Sequence, residues 1–322
     1  MRNRRDRRNP NKMVVHVTNR TLSGLPFLAR LFMKWILLGI MARCQEHHRV
    51  RIAHFNWMSN HFHMILVGEG KHISSFMGEM ESAVARAIKK LTPQYRRNVW
   101  DGRFKEQRLL THNDVIDKIV YIYINPVKAG LVAHADDWEG CSSFRMYKSG
   151  SLTVQGKYTS STNLRKLPQR LHKISDAILL KMLNMFPHTC HELKITPDAW
   201  KNCFEESKNL TSEEIFKTIM TEISKREEEI ALERKGHFMG MRKVQQQSIN
   251  IAYVPKKKTR TPYLICWIKE LRIKAIAEYK AFCEECRKAW KKWKQGDISA
   301  KFVYGAFRPS MPIVGRLCGV AT

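Results

Sequence analysis

The apolar pattern of the N-terminal part of the chain predicts short strands that alternate with longer helices. Met13 to Asn19 is short and rich in β-branched residues, which favours a strand. From Pro26 to about Gln45, apolar residues recur at helical spacing with proline near the start, which predicts a helix. Val50 to Trp57 alternates apolar and polar residues and is predicted as a second strand. Ser59-Asn60 then forms a tight turn into the next element.

A third strand is predicted from Phe62 to Val67, and Gly68-Glu69-Gly70 ends it. Ser74 to Leu91 carries its apolar residues on one side of a predicted helix, which Pro93 stops. Arg103 to Leu110 is predicted as the fourth strand.

A further helix is predicted to begin at Asn113 or Asp114, because either side chain can cap it, and to run through Tyr121 to about Asn125-Pro126. The order is therefore β-α-β-β-α-β followed by a helix. This order is typical of the ferredoxin-like arrangement, an α+β fold in which an antiparallel sheet has its helices on one face.

The composition changes after about residue 149. Ser149 to Asn163 is rich in Ser, Thr and Gly, which indicates a segment that links or decorates. The rest is predicted to be mostly helical and to end with a long helix from Pro262 to about Lys294. We therefore predict a basic N-terminal arm (1–12), a domain of residues 13–148, and a mostly helical basic C-terminal region (149–322).

The charge of the chain points to a polyanionic partner. There are 57 Lys and Arg against 29 Asp and Glu, a formal net charge of +28. Nucleic acid is the first expectation and an anionic membrane surface the second. The most apolar run, Trp35 to Ala42, is far shorter than the roughly 20 residues that a spanning helix needs, so no membrane span is predicted. The arm lacks the apolar region of a secretory signal, and its arginines are expected to contact phosphates: Arg2, Arg4, Arg5, Arg7 and Arg8.

The eight cysteines are spaced irregularly, and without an export signal we expect free thiols in a reducing compartment. Cys283 and Cys286 are close-set, but no second pair completes a zinc site. They are read as two free thiols about one helical turn apart.

Two histidines are the strongest chemical signal. His61 and His63 are two residues apart on the predicted third strand, so their side chains point to one face while Phe62 and Met64 point into a core. Two imidazoles on one face can hold a divalent metal, and a metal beside a polyanion suggests phosphodiester chemistry. A pair of ordinary surface or core histidines is the alternative.

A second chemical element follows on the last predicted helix. Tyr121 and Asn125 are four residues apart and share a helical face, whereas Tyr123 points elsewhere. A tyrosine can attack a phosphodiester to give a covalent intermediate that conserves the bond energy, and an amide oxygen can complete a metal site begun by two histidines. The alternative is that Tyr121 is a core residue with its hydroxyl at the rim.

Four motifs in order make a wider resemblance visible: Ser59 to Leu66, Trp100 to Lys105, Tyr121 to Val132, and Trp138 to Phe144. In this combination, residues 13 to 147 resemble the REP-associated tyrosine transposases of the HUH single-tyrosine transposase superfamily, where HUH denotes His, hydrophobic, His. The family usually has proline where this chain has Ser59, and serine also favours a turn.

The resemblance implies an enzyme that cuts and rejoins single-stranded DNA, often at hairpins formed by repeated extragenic palindromes. It implies that His61 and His63 are metal ligands with Asn125 as the third, and that Tyr121 is the nucleophile. It also implies Mg²⁺ or Mn²⁺ and a 5′-phosphotyrosine intermediate with release of a free 3′-hydroxyl. The metal identity comes from the family, because histidine does not by itself favour magnesium.

Further DNA contacts are predicted around this site. Arg103 and Lys105 alternate with Phe104 on the fourth strand and are expected to face the DNA backbone, a solvated strand face being the alternative. Lys128 is seven residues after Tyr121 and shares its face if the helix continues past proline. The expected partner is single-stranded or hairpin DNA, with no membrane and no small-molecule substrate. A cytoplasmic, nucleoid-associated bacterial protein is expected, as a monomer or a homodimer.

Two other functions remain open from the sequence. One is a domesticated DNA-binding protein that keeps the fold and no longer cuts. The other is a replication initiator or relaxase that shares the histidine pair. Intact His61, His63, Tyr121 and Asn125 speak against the first, and the Tyr-to-Asn-Pro-Val motif fits the transposase group better than the second.

Overall fold

The computed structural model describes residues 13–24, 28–92, 98–168, 171–247, 262–303 and 306. Its first part contains β1 (Met13–Arg20), α1 (Leu31–His47), β2 (Val50–Trp57), β3 (His61–Gly68), α2 (Gly70–Leu91), β4 (Lys105–Leu109) and α3 (His112–Lys128). The strands order as β2-β3-β1-β4, and all three pairings among them are antiparallel. This is the ferredoxin-like α+β sheet that the element order predicts.

The second part adds further elements: α4 (Phe144–Ser149), β5 (Thr153–Tyr158), α5 (Ser161–Leu164), α6 (Asp176–Met185), β6 (Thr189–Lys194), α7 (Ser212–Glu233), α8 (Met241–Gln245), β7 (Leu264–Ile265) and α9 (Lys269–Lys294). The described part also contains short 3₁₀ turns, at Leu22–Gly24, Ala135–Asp137, Leu171–Lys173, Lys201–Cys203 and Glu205–Ser207. None of the described helices is long and apolar enough to span a bilayer.

The first two helices cover one face of the sheet. Phe62, Met64 and Leu66 are fully buried on that face. Trp57 pairs with Phe62 across β2 and β3, and its indole nitrogen lies 3.4 Å from Met41 Sδ of α1. Apolar side chains on alternate positions of β3 therefore enter the core, as the alternation predicts.

The third helix, which follows the βαββαβ unit, covers the opposite face of the sheet. Asn56 pairs with His63 across β2 and β3, so both point away from α1 and α2. Asn56 Nδ2 donates to the Ile122 carbonyl of α3 at 2.9 Å. The side chains of Asn56 and His63 thus lie between the sheet and α3, in a layer that the order of elements does not reveal.

The two ends of α3 differ from the sequence prediction. Its N-cap is Thr111, not Asn113 or Asp114: the Thr111 side chain accepts from the Asp114 backbone N–H, and the Asp114 carboxylate accepts from the Thr111 N–H. The helix also continues through Pro126 to Lys128. Proline leaves the carbonyl four residues earlier without its helical donor, and the bond from Asn56 to that carbonyl of Ile122 replaces it.

Within the segment 149–163, which the sequence predicts to link or decorate, Thr153–Tyr158 forms β5 and pairs antiparallel with β6. This two-stranded sheet packs on α1 at two glycines. A Cβ on Gly156 would come within 2.6 Å of the Leu38 carbonyl oxygen, and a Cβ on Gly39 would overlap the Lys157 carbonyl. Side chains such as Leu179, Leu193 and Trp200 join the same apolar cluster as the N-terminal sheet.

Candidate active site

His61 and His63 lie on the face of β3 that α3 covers. Their ring centroids are 4.9 Å apart and the rings are nearly perpendicular. His63 is buried and His61 is partly buried. The two-residue spacing on a strand thus places both imidazoles on one face, as the sequence predicts.

Tyr121 and Asn125 lie one turn apart on α3 and meet these imidazoles. Asn125 Nδ2 is 3.0 Å from His63 Nε2, and the rings of Tyr121 and His63 have centroids 5.4 Å apart. The four side chains named from the sequence therefore form one cluster within a single chain. It is built from a strand with a period of two and a helix with a period of 3.6.

Tyr123 is not part of this cluster. It is buried, and its hydroxyl is 2.6 Å from His54 Nδ1 and 2.9 Å from Ser143 Oγ. Its two-residue offset from Tyr121 turns it to a different side of α3, as the helical period requires.

Each histidine of the pair has its Nδ1 engaged. His61 Nδ1 is 2.7 Å from Asn60 Oδ1, and His63 Nδ1 is 3.0 Å from His16 Nε2. Burial lowers the pKa of His61 to about 4, and burial together with nearby His61 lowers the pKa of His63 well below 6.5. Both imidazoles are therefore neutral near pH 7, which is the protonation state that binds metals.

The donor set fits a divalent cation. Two neutral imidazoles with occupied Nδ1 atoms leave their Nε2 atoms as possible ligands, and Asn125 can add a carbonyl oxygen. Among the described residues, no group of three or more His, Cys, Asp or Glu could hold a metal. Asn125 here turns its nitrogen to His63, so ligation through its oxygen requires rotation of the amide.

The phenol of Tyr121 is partly buried. Burial raises the pKa of Tyr121, and a hydrogen bond with Asn125 acts in the opposite direction. The ammonium of Lys118 lies 4.5 Å from the centroid of the Tyr121 ring, and burial lowers the pKa of this lysine. Sequence reasoning missed Lys118, although its position three residues before Tyr121 puts it on the same helical face.

His16 of β1 also lies beside this pair, and its Nε2 is 3.0 Å from His63 Nδ1. Its other nitrogen, Nδ1, is 3.0 Å from Gln107 Oε1 of β4. No local signal marks this contact, since it depends on the strand order.

The C-terminal region holds α3 against the sheet. The backbone N–H of Trp267 donates to Asp114 Oδ1 at 3.1 Å, and its indole N–H donates to Asp117 Oδ2 at 2.9 Å. Arg226 of α7 donates to Asp117 Oδ1 at 2.9 Å. The helix that carries Tyr121 is thus fixed by residues distant in sequence.

Three of the predicted DNA-contacting residues are exposed in the described part of the structure. Lys105 is exposed and pairs with Thr18, which is also the partner of His63, so it lies on the same face of the sheet. Arg103 is exposed just before β4, and Lys128 is exposed at the end of α3. The predicted arm residues, Arg4, Arg5, Arg7 and Arg8, lie outside the described residues.

Cys283 and Cys286 lie on α9, and neither is part of a disulfide, as expected.

Comparison with known proteins finds a similar family for the N-terminal part of the chain. Residues 11–125 match the family described as IS200-like transposases, and this confirms the resemblance seen in the motifs. No curated protein matches the chain. One solved structure that the chain is similar to is described as a REP-associated tyrosine transposase bound to a REP hairpin. The two share 23% identity over 47% of this chain and 85% of the other, with a TM-score of 0.38.

Proposed function

We propose that this chain, whose residues 11–125 match the IS200-like transposase family, is a metal-dependent enzyme that cleaves and rejoins single-stranded DNA. One observation carries the proposal: Tyr121 and Asn125 of α3 face the imidazoles of His61 and His63 in a single chain. The arrangement unites a nucleophile with a site for a cation, which a DNA-binding surface alone does not require.

In the proposed reaction, the Tyr121 oxygen attacks a backbone phosphorus. The phenol loses its proton, the tyrosine oxygen bonds to the 5′-phosphate of the downstream strand, and the bond from phosphorus to the 3′ oxygen breaks, so that the upstream strand is released with a 3′-hydroxyl. Attack of a 3′-hydroxyl on the same phosphorus reverses the step and rejoins the strand. Because one ester replaces another, the bond energy is kept for rejoining.

The side chains around the phenol have separate roles in this proposal. His61, His63 and Asn125 hold Mg²⁺ or Mn²⁺, which when bound polarises the phosphoryl oxygens. The cation of Lys118, beside the Tyr121 ring, favours the phenolate and attracts the scissile phosphate. This assistance matters because burial makes the phenol harder to ionise.

The proposed substrate is single-stranded DNA at a REP-type hairpin. The net charge of +28 supports a polyanion. Lys105 is exposed on the face of the sheet that carries the histidines, which supports a path for DNA across that face. Arg103, just before β4, and Lys128, at the end of α3, are exposed as well. We assign the basic arm (1–12) and the C-terminal region (149–322) to DNA contact and to support of the catalytic domain (13–148).

The test is covalent capture of an oligonucleotide. The protein is incubated with a labelled hairpin that carries a single-stranded flank, with Mn²⁺ or with EDTA, and resolved under denaturing conditions. We expect a protein–DNA adduct that requires metal and disappears in Tyr121→Phe, while hairpin affinity changes little because one hydroxyl is lost.

Tyr123→Phe is the matched control, since it removes a hydroxyl two residues away and should keep the adduct. Persistent adduct in Tyr121→Phe would assign the nucleophile elsewhere. Binding without any adduct in the wild-type protein would favour the non-cleaving DNA-binding protein. Adduct formation only with nicked or supercoiled origin DNA would favour an initiator or relaxase.

A further inference from the structure

We propose that His16 is a positioning residue that, backed by Gln107, fixes His63 in the tautomer whose Nε2 lone pair faces Asn125. The inference rests on the proposed function for its consequence, since the same lone pair would bind the metal. Its structural content, the tautomer of His63, can be tested without metal or DNA.

Three hydrogen bonds connect four buried side chains in a row. Gln107 Oε1 is 3.0 Å from His16 Nδ1, and His16 Nε2 is 3.0 Å from His63 Nδ1. His63 Nε2 is 3.0 Å from Asn125 Nδ2. The row therefore runs from β4 through β1 and β3 to α3.

The residues at the two ends of this row, Gln107 and Asn125, determine which ring nitrogens donate and which accept. The Gln107 oxygen can only accept, so His16 Nδ1 carries a proton and donates to it. With its one ring proton on Nδ1, the buried His16 has a bare Nε2, and His63 Nδ1–H donates to it. The Asn125 nitrogen at the far end can only donate, which independently requires a bare His63 Nε2. Both ends give the same tautomer.

The backbone makes this row possible. His16 and Gln107 are direct partners in the β1–β4 pairing, and Thr18, two residues from His16 on the same face, is the partner of His63. The exposed fractions are 2% for His16, 6% for Gln107 and 5% for His63, so water does not compete for these bonds. The His16 and His63 rings also lie nearly parallel, at 17°.

His61 shows the contrast. Its Nδ1 partner is Asn60, the adjacent residue in the chain, in a partly buried position. The Nδ1 contact of His61 is therefore local, whereas the Nδ1 contact of His63 depends on strands that are distant in sequence.

The consequence concerns metal affinity. A His63 protonated on Nε2 has no lone pair for a cation at the position that Asn125 occupies. Hydrogen-bond partners behind a histidine ligand typically change metal affinity by about 10–100-fold when removed. His16 would thus act through His63 without touching the metal or DNA.

The experiment compares three variants of the full-length chain. His16→Phe removes the acceptor and keeps a ring, and His16→Gln restores a side-chain acceptor. Gln107→Leu removes only the support of His16, and serves if His16→Phe does not fold. Thermal unfolding checks that each variant is native.

The first readout is the ¹⁵N–¹H correlation spectrum of the histidine rings without metal. We expect His63 to show a protonated Nδ1 in the wild type and in His16→Gln, and to shift toward the Nε2-protonated form in His16→Phe and Gln107→Leu. An unchanged His63 tautomer in the last two variants would overturn the proposal.

The second readout is Mn²⁺ affinity by calorimetry, without DNA. We expect about 10–100-fold weaker binding in His16→Phe and recovery in His16→Gln. Equal affinity in folded wild type and His16→Phe contradicts the proposal. If the wild type binds no Mn²⁺, the metal-dependent function fails, while the spectra still decide the tautomer.

Discussion

The buried carboxylate of Asp114 at the N-terminus of α3 allows the cost of losing one hydrogen-bond acceptor to be predicted. Asp114 is fully buried, and its two oxygens serve different donors. Oδ2 accepts from the Thr111 backbone N–H at 3.0 Å and from the Thr111 hydroxyl at 2.7 Å, while Oδ1 accepts from the Trp267 N–H at 3.1 Å. The perturbation is Asp114→Asn, which keeps the shape and halves the acceptors.

An asparagine has one oxygen for two backbone donors, so whichever way its amide turns, the N–H of Thr111 or of Trp267 faces an NH₂ group. One buried unsatisfied N–H costs about 1–3 kcal/mol. Loss of a negative charge in the first helical turn adds about 0.3–1 kcal/mol. We therefore expect the free energy of unfolding to fall by about 1–4 kcal/mol.

Urea unfolding followed by circular dichroism measures this loss. Asp117→Asn, one turn later, is the matched control: its half-exposed carboxylate binds Arg226 and the Trp267 indole, and we expect a loss below about 1 kcal/mol. A loss for Asp114→Asn no larger than that of the control would refute the reasoning from acceptor counting.

Three further predictions concern packing, pH and salt. Gly39→Ala should destabilise the protein by about 1–3 kcal/mol, because its Cβ would overlap the Lys157 carbonyl. Gly78→Ala has open space around its Cβ and should stabilise the protein by about 0.5–1 kcal/mol. Thermal unfolding of both variants measures whether the two effects have opposite signs. The Glu227 carboxylate raises the pKa of His134, so this pair should stabilise the fold below pH 6.5 and lose its contribution as pH rises through the raised pKa; an equal pH dependence of Tm in His134→Asn would contradict this. Hairpin affinity should fall steeply with salt: the slope of log affinity against log salt concentration should be about −0.7 for each phosphate contact on a single strand. A flat response would mean that the excess of basic residues does not form a DNA-binding surface.

Much of the candidate site could be predicted because its signals are local. The period of two puts His61 and His63 on one face of β3, and the period of 3.6 puts Tyr121 and Asn125 on one face of α3. The order of elements predicted the ferredoxin-like sheet for the same reason, because each strand and helix can be recognised from the residue pattern of its own short segment. The roles of these residues stay predictions until the adduct is measured.

Other features could not be predicted, because they depend on contacts between distant segments. The helix through Pro126 is an example: proline argues for an end, and Asn56 of a different strand supplies the missing donor. The strand Thr153–Tyr158 reads as a linker because its Ser, Thr and Gly favour turns, yet Gly156 allows close packing on α1.

The amino-acid sequence by itself determined which residues share a face and the chemistry that they can perform, since periodicity and side-chain type are properties of short segments. Only the tertiary structure decided that α3 covers the sheet opposite α1 and α2, and that His16 stands behind His63. The physical reason is strand order: β1 lies between β3 and β4, so hydrogen bonding across the sheet unites side chains that are 47 and 91 positions apart along the chain.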